Sequence, residues 1–395
     1  MAQIAVIERK CTGCEQCVSA CPFSAIDMIR GKAQMNAACK VCGLCLKQCP
    51  QGAIIRLETK VDSVDKTKWS DILVFAEQSE GSLHPVCLEL IGEAQRLAAG
   101  KDQKVKAVIL GGHVEDCARE LRHYGVDEVH VYEGEELSFF RADAFAACVE
   151  DCIKKIKPSV VLVGATALGR SLAPRLSTRF RTGLTADCTQ LELKANTDLV
   201  QIRPAFGGNI MAQIVTPNTR PQFATVRYKV MEAPKRMEEE KGEVLRQRMP
   251  KAVRDSRVKL VSTEPVPKAA NISDAEILVV AGRGLQKKED LELVRELAGL
   301  LGGEYAVTRP LAEKGWESNA RQIGLSGRTV RPKLIITFGV SGAIQFTAGM
   351  DQAEHIIAVN SDKDAPIFKL AHVCIVSDLY EVLPQMISKL KEKEA

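Results

Sequence analysis

The sequence predicts an α/β chain of three modules: a small cysteine-rich α+β module followed by two doubly wound domains on parallel sheets. Three observations predict it. Eight of the fourteen cysteines fall within the first 49 residues, in two copies of one pattern. From residue 71 onward, short apolar runs alternate with stretches of helical period, as buried parallel strands joined by helices do. Near residue 277 a further run, "ILVVAGRGL", opens a second alternating series after a charge-rich interval.

A chain of 395 residues has room for two or three cores. With 46% hydrophobic and 26% charged residues its composition is that of an ordinary soluble protein, and a net charge of +4 is too small to imply nucleic acid or an anionic membrane as the main partner. No apolar run reaches the roughly 18 residues that a membrane span needs. "MAQIAVIERK" lacks a basic stretch ahead of an apolar core, so no signal peptide is expected and a cytoplasmic location is. In that compartment cysteines point to metal or redox chemistry, not to a disulfide framework.

Cys11, Cys14, Cys17 and Cys21 follow C-x2-C-x2-C-x3-C-P, closed by Pro22. Cys39, Cys42, Cys45 and Cys49 repeat it, closed by Pro50, each displaced by 28 residues (39 minus 11). Three thiolates on one tight loop can hold three corners of an iron–sulfur cube, with the fourth cysteine a helical turn on. Structural zinc would favour paired C-x2-C units with a longer spacer. Two [4Fe–4S] clusters are therefore expected. "IAVIE" and "AIIRLE" read as bracketing strands and "GKAQMN" as a hairpin between the halves. In every motif position residues 1–60 resemble a bacterial two-cluster ferredoxin. The resemblance implies crossed ligation, with Cys49 completing the set Cys11, Cys14 and Cys17, and Cys21 completing the set Cys39, Cys42 and Cys45. The remaining cysteines are scattered, and Cys148 and Cys152, four apart on an expected helix with no nearby His or Cys, read as core.

Residues 61–70 ("VDSVDKTKWS") read as a polar linker. In residues 71–231 the strands "DILVFAE", "VKAVILGG", "EVHVYE" and "SVVLVGAT" are each followed by a helix, near 86–99, 114–123, 141–156 and 169–180. After Asp187, "QLELKA", "LVQIRP", "IMAQIV" and "FATVRY" alternate in polarity, which predicts half-exposed antiparallel strands. Here "GATALGRSLAPRLSTRFRTGLTADCTQLEL" and "RPAFGGNIMAQIVTPNTRPQFATVRYKVM" resemble the first domain of electron-transfer flavoprotein (ETF) alpha subunits. The resemblance implies that this domain packs against a beta subunit and binds no flavin by itself. Residues 232–270, with "KRMEEEKGEVLRQRMPKAVRDSR", read as a solvated linker.

Residues 271–395 form the last domain. "ILVVAGRGL" reads as a buried strand ending in Gly282-Arg283-Gly284, after which a helix begins. No complete G-x-G-x-x-G with an acidic residue some twenty positions on is present, so a conventional NAD site is disfavoured. "AVTRPLAEKGW", "RQIGLSG", "LIITFGVSGAIQFTAGM", "IIAVNSDKDAPIF" and "CIVSDLYEVLP" resemble, in order and spacing, the Rossmann-like FAD-binding domain of the same alpha subunits. Carried over by motif, Arg283, Thr308, Arg309, Ile323, Gly324, Leu325, Ser326, Ser341, Gly342, Ala343, Ile344, Gln345, Phe346, Asn360, Asp378 and Leu379 surround the FAD. Gly339 and Gly342 suit a close backbone approach, and Ser341 with the amides after it suits the pyrophosphate. Arg309 is expected over the isoalloxazine, where a fixed cation favours the reduced, anionic flavin. Asn360 and Asp378 are expected at the adenosine end. Two positions depart from the family: Leu325-Ser326 replaces a glutamine-threonine pair, and Phe346 replaces a histidine at the flavin's pyrimidine edge. Altered flavin potentials are expected. No catalytic acid or base is assigned.

The whole resembles an ETF alpha subunit with a two-cluster ferredoxin fused to its N-terminus, as in the large subunits of electron-bifurcating caffeyl-CoA reductase and lactate dehydrogenase assemblies. The implied partners are an ETF beta subunit in a heterodimer, a flavin dehydrogenase for an acyl-CoA or hydroxy acid such as lactate, and ferredoxin. A non-bifurcating, ferredoxin-linked shuttle with AMP in its beta subunit is the competing reading. A DNA-binding iron–sulfur regulator would need a basic recognition helix, and a stand-alone hydride-transfer enzyme a pocket with an acid or base; neither stands out.

Overall fold

The computed structural model describes residues 3–57, 63–205, 210–256, 258–264 and 271–394. It separates into two compact units, Met1–Val64 and Asp65–Ala395. Residues 58–62, at the expected first linker, and residues 257 and 265–270, in the expected second, lie outside the described set.

In the first unit, β1 (Gln3–Val6) pairs antiparallel with a strand near its end, so the bracketing runs close on each other. The order is β1, α1 (Gln16–Ser19), β2 (Ile26–Ile29), β3 (Lys32–Met35), α2 (Leu44–Gln48) and β4 (Ile54–Leu57). β2 and β3 form the hairpin, and Ile4, Ile26, Ala33 and Ile54 meet Cys17 and Cys45 in a small core. The duplication extends to the backbone. Gly13 and Val41 are left-handed (φ 75° and 57°), and so are Glu15 and Gly43 (φ 59° and 82°), each pair 28 residues apart. A β-branched residue in that region is strained, so the tight loop geometry at Val41 overrides its residue preference.

The second unit holds two parallel sheets. The first comprises β5 (Ile72–Ala76), β8 (Val105–Gly111), β9 (Glu128–Glu133), β10 (Val160–Gly164), β11 (Leu184–Cys188), β15 (Gln222–Val226) and β16 (Glu243–Arg246), in the order β11-β15-β10-β5-β8-β9-β16. A two-residue hairpin, β6 (Gln78–Ser79) with β7 (Ser82–Leu83), follows β5. The winding reverses between β5 and β10. Helices α3 (Pro85–Ala98) and α4 (Glu115–Arg122) cover one face through Leu90, Ile91 and Leu121, and α5 (Ala142–Ile156) and α6 (Ala167–Arg179) cover the other through Phe145, Val149 and Leu172. Cys148 and Cys152 are buried in that second layer, and burial pushes both thiols up to about 12. β12 (Gln190–Leu193), β13 (Leu199–Ala205) and β14 (Ile210–Val215) make a separate antiparallel sheet.

Two expectations are corrected here. "FATVRY" is not a half-exposed antiparallel strand: β15 is buried throughout and runs parallel to both β10 and β11, because the chain returns from β14 into the main sheet. Nor is the segment after residue 232 simply a solvated linker. β16 extends the main sheet in parallel with β9, and Arg236 makes a two-point pair with Glu120 (2.8 and 3.0 Å) while Arg246 meets Glu115 at 2.8 Å. A short helix, α7 (Lys251–Arg254), then buries Val253 under α5.

The second sheet comprises β17 (Ile277–Ala281), β18 (Glu304–Thr308), β19 (Gln322–Ile323), β20 (Leu334–Phe338), β21 (His355–Asn360) and β22 (Val373–Val376), all parallel, in the order β19-β18-β17-β20-β21-β22. Numbered from its own first strand this is 3-2-1-4-5-6, the dinucleotide-fold order, with its reversal between β17 and β20. α8 (Leu291–Leu300) and α11 (Leu379–Glu394) cover one face, and the short helices α9 (Arg309–Glu313) and α10 (Ile344–Thr347) follow β18 and β20. The helix expected after Gly284 is α8, reached through a six-residue turn. α8 starts at Leu291, and Tyr380 fixes the intervening turn by accepting from Gln286 N (2.8 Å) and donating to Asp290.

The boundary at Asp65 has a physical anchor. Lys66 Nζ lies 2.7 Å from the Asp198 carboxylate, which also pairs with the fully buried Arg220 at 2.7 Å. Burial would raise the Asp198 carboxyl, but the two cations outweigh it and hold it below the usual range. A chain beginning at Asp65 is expected to unfold cooperatively with full stability. One beginning at Thr67, lacking Lys66, is expected to be about 1–3 kcal/mol less stable, measured by denaturant unfolding at neutral pH.

Candidate functional site

The first unit presents two cavities. Cys11, Cys14, Cys17 and Cys49 line one of about 350 Å³. Cys21, Cys39, Cys42 and Cys45 line the other, of about 280 Å³. Each therefore takes three cysteines from one loop and the fourth from the other copy. The thiols ring a cavity: among the described residues no three His, Cys, Asp or Glu side chains gather as a single metal ion would require. Four cysteines around one cavity are the ligand count of an iron–sulfur cube. Backbone amides already point at several sulfurs. Ala25 N donates to Cys21 Sγ and Ala53 N to Cys49 Sγ, both at 3.3 Å, the same contact in each copy. The amides of Ala33 and Gly13 lower the Cys11 thiol, whereas burial raises Cys17 and Cys45. A thiolate at those buried positions needs the positive charge of iron beside it.

The second unit gathers the flavin-motif residues along one edge. Arg283 follows β17, Thr308 ends β18 and Arg309 begins α9, and Ile323 ends β19 with Gly324 to Ser326 in the turn after it. Ser341 to Phe346 follow β20, Asn360 ends β21, and Asp378 and Leu379 follow β22. All sixteen thus lie at the carboxyl ends of the six parallel strands, where open α/β sheets bind ligands. At the reversal point the turns after β17 and β20 touch: a Cβ on Gly282 would stand 2.3 Å from Gly339 O. Gly342, at φ 83°, is equally constrained, because a Cβ there would meet Ile367 N at 2.2 Å.

The donor set fits FAD. Thr308 Oγ1 is buried without a partner, an orphan hydroxyl at the crevice edge. Arg309 is exposed and engaged only with Glu313 (Nε to Oε1, 2.7 Å) among the described contacts, a surface pair that a nearby anion can outcompete. Asn360 Nδ2 donates to Val340 O at 2.8 Å, and Asp378 Oδ1 accepts from Tyr380 N at 2.9 Å, so both adenosine-end candidates are held in place. Ser326 Oγ accepts from Gln322 Nε2 at 2.8 Å. Gln322 and Tyr380 were not singled out in the sequence, although both lie within quoted motifs; their role is to orient neighbours.

Three candidates turn inward. Ile323, Leu379 and Phe346 are 1%, 6% and 6% exposed and belong to apolar clusters. Phe346 shares one apolar cluster with Ile323, Val340 and Met350, so its ring is largely core. The cause is helical geometry, since α10 exposes Ile344 and Gln345 and therefore turns the next side chain into the core.

A cleft of about 1540 Å³ adjoins this edge, with Leu325, Ser326 and Arg328 on one wall and Thr166, Arg170 and Arg227 on the other. Three arginines give it a positive field suited to a phosphate-bearing ligand. Arg227 also pairs with Asp187 at 2.7 Å. Burial would raise that carboxyl, and Arg227 outweighs it.

Comparison with known proteins bears directly on this geometry. The electron transfer flavoprotein domain matches residues 72–251, the electron transfer flavoprotein FAD-binding domain residues 271–351, and the 4Fe-4S dicluster domain residues 10–54. The lactate dehydrogenase (NAD(+),ferredoxin) subunit LctC of Acetobacterium woodii is 50% identical over 374 residues, covering 95% of this chain and 90% of its own. The chain belongs to the ETF alpha-subunit family. The ETF subunit alpha of Thermoanaerobacterium thermosaccharolyticum is 42% identical, covering 82% of this chain and 98% of its own. The acryloyl-CoA reductase electron transfer subunit beta of Anaerotignum propionicum is 38% identical, covering 84% and 98%. This ETF alpha chain is thus an electron-transfer subunit whose cofactors are FAD and [4Fe–4S] clusters. Among the described residues no helix is long and apolar enough to cross a membrane.

The orphan hydroxyl generates a test with opposite signs. Thr308→Val removes a buried group that has no partner in the protein, so the flavin-free protein is expected to be as stable or up to about 1 kcal/mol more stable. FAD affinity is expected to fall about five- to tenfold, the loss of one hydrogen bond of about 1–1.5 kcal/mol. Thermal unfolding of the apoprotein and fluorescence titration with FAD check the two halves.

Proposed function

We propose that this ETF alpha subunit works in flavin-based electron bifurcation, receiving electrons derived from NADH and delivering them singly. One electron goes to a flavin dehydrogenase for a hydroxy acid such as lactate or for an acyl-CoA. The other, at lower potential, goes to ferredoxin. The observation that carries the reading is the 50% identity to LctC over 95% of this chain, cluster module included. The partners are an ETF beta subunit in a heterodimer, the dehydrogenase and ferredoxin, and the setting is the cytoplasm.

FAD supplies exchange between two-electron and one-electron carriers, and the clusters supply one-electron relay. The chain's own groups set the terms. Cys11, Cys14, Cys17 and Cys49 hold one cluster, and Cys39, Cys42, Cys45 and Cys21 hold the other. The edge from Arg283 to Leu379 holds FAD, with the side chains of Thr308, Arg309, Ser326, Ser341, Asn360 and Asp378 and the backbone of Gly324 and Gly342–Phe346. Arg309 supplies a fixed positive charge that favours added electrons. Phe346 contributes backbone and core packing.

The 42% identity to an ETF subunit alpha, over 82% of this chain and 98% of that relative, favours a second reading, a ferredoxin-linked shuttle without bifurcation. Co-purification with the beta subunit separates them: two FAD per heterodimer and NADH-dependent ferredoxin reduction support bifurcation, whereas one FAD with one AMP supports the shuttle.

The ligand sets are tested by cysteine replacement. Anaerobically isolated chain is expected to hold roughly eight iron and eight sulfide. Cys14→Ser is expected to damage mainly the first cluster and Cys21→Ser mainly the second, although both residues belong to the first motif. Electron paramagnetic resonance of the two reduced variants distinguishes the signals; loss of the same signal in both would refute crossed ligation.

A further inference from the structure

The 28-residue repeat supplies an internal control, because each position around one cavity has a counterpart around the other. Thr12 and Glu15, which line the first cavity, correspond to Lys40 and Gly43. Gln51, also lining the first, corresponds to Phe23 lining the second, and exposed Gln16 corresponds to Leu44. Ser19 corresponds to Lys47, and Met28, which lines the first cavity, corresponds to Arg56. Arg56 Nη2 donates to Val41 O at 3.0 Å, so its charge lies over the loop that carries Cys39 and Cys42.

The two rims therefore differ in kind. Around the second cavity Phe23 and Leu44 are 44% and 50% exposed, at the mouth of a cavity whose lining includes Lys40 and no acid. Arg56, over the loop of Cys39 and Cys42, adds a second positive charge, and exposed Lys47 a third on α2, the helix that carries Leu44 and Cys45. At the first, Glu15 lines the cavity, Lys32 donates to Cys11 O, the turn Glu8-Arg9-Lys10 directly precedes Cys11, and the equivalents of Phe23 and Leu44 are glutamines. Asp27, on the β2–β3 hairpin, accepts from Asn36 Nδ2 at 3.2 Å and does not line the second cavity. An apolar centre ringed by charges of one sign is the composition of a transient docking face, the charges steering the encounter and the apolar centre excluding water.

We propose that the second-cavity face of the cluster module, built on Phe23, Leu44, Lys40, Lys47 and Arg56, is the docking surface for an acidic iron–sulfur electron carrier, which makes the second cluster the external terminal of the module. The inference rests on the reading that each cavity holds a cluster. One electron leaves the reduced carrier and is taken up at the second cavity, or moves the opposite way; no bond forms or breaks and no proton moves. The first cavity, with its polar and mixed-charge rim, is left for exchange within the protein's own electron path.

The test uses the full chain with its clusters in place and, as probe, an oxidised acidic two-cluster bacterial ferredoxin. Binding is measured by calorimetry at low and at physiological salt. Lys40→Glu/Lys47→Glu is expected to weaken affinity at least about tenfold at low salt, with the difference shrinking as salt rises. Leu44→Gln is expected to weaken it several-fold with little salt dependence, and Lys47→Arg to leave it unchanged. The mirror variant Thr12→Glu/Ser19→Glu is expected to change it less than about twofold. Iron content and the resonance signals of each variant are recorded alongside. Fewer than about eight iron in the unaltered chain defeats the cluster reading, whatever the affinities. With eight iron retained, equal weakening on both faces, weakening at the first face alone, or no weakening overturns the docking surface. Tighter binding after charge reversal also overturns it, since the carrier would then not be attracted by the basic rim.

Discussion

The flavin edge depends on one backbone contact. Where the winding of the second sheet reverses, the turns after β17 and β20 run against each other through Gly282, Gly284 and Gly339, and Gly282 N donates to Phe338 O at 2.8 Å while Gly284 N donates to Gly339 O at 3.0 Å. Any side chain at Gly282 would force the backbones apart. With them closed, the strand ends form a continuous rim, and residues from six separate strands reach one crevice. Leu379 seals the crossing from below: Gly284 and Gly339 approach its Cδ2 so closely that added Cβ atoms would lie 3.1 and 2.9 Å from it. Packing thus fixes Leu379 at the crossing.

The charged segment after residue 232 shows why some of the fold was not legible. Read locally, its alternating Lys, Arg and Glu look solvated, because their partners lie more than a hundred residues earlier on α4 and β9. Met237 N donates to His123 O at 2.8 Å, and Arg122 meets Glu240 at 2.5 Å. Beneath them a buried network ties the edge: Lys106 lies 2.9 Å from Glu128 and 3.1 Å from Asp71, and Gln247 reaches His130 at 3.2 Å. Burial alone would lower the Lys106 ammonium, yet its two carboxylates raise it, so the lysine stays charged. Gly92 completes the fit, since a Cβ there would stand 2.1 Å from Glu232 O where the chain crosses α3. Tertiary complementarity of this kind has no period for a sequence reading to detect.

What was legible followed local rules. The buried strands from Ile72 to Gly164 stand out because both their faces are apolar, and the cysteine loops because ligation fixes their spacing. β15 departs from its local pattern for a related reason: Thr225 and Arg227 look like the polar face of an exposed strand, but Thr225 is fully buried, its Oγ1 accepting from Asp187 N at 3.1 Å. A buried polar residue with satisfied bonds mimics an exposed one in sequence. Phe346 shows the converse limit: a motif carries the backbone path faithfully, but the side chain's direction depends on where the short helix places it.

The two sheets of the second unit also explain each other. Both reverse their winding, and each reversal opens a crevice at the strand ends. In the first sheet the chain's own side chains occupy it. Thr166 Oγ1 donates to Glu77, whose carboxyl burial raises, and Gln78 Nε2 donates to Leu110 O at 3.1 Å. Gly169 brings α6 so close that a Cβ would meet Gly164 O at 1.9 Å. In the second sheet the equivalent place is bare backbone, flanked by a threonine hydroxyl with no partner. One crevice is satisfied internally and the other is not, so a single architecture used twice in one chain yields one domain that packs and one that binds.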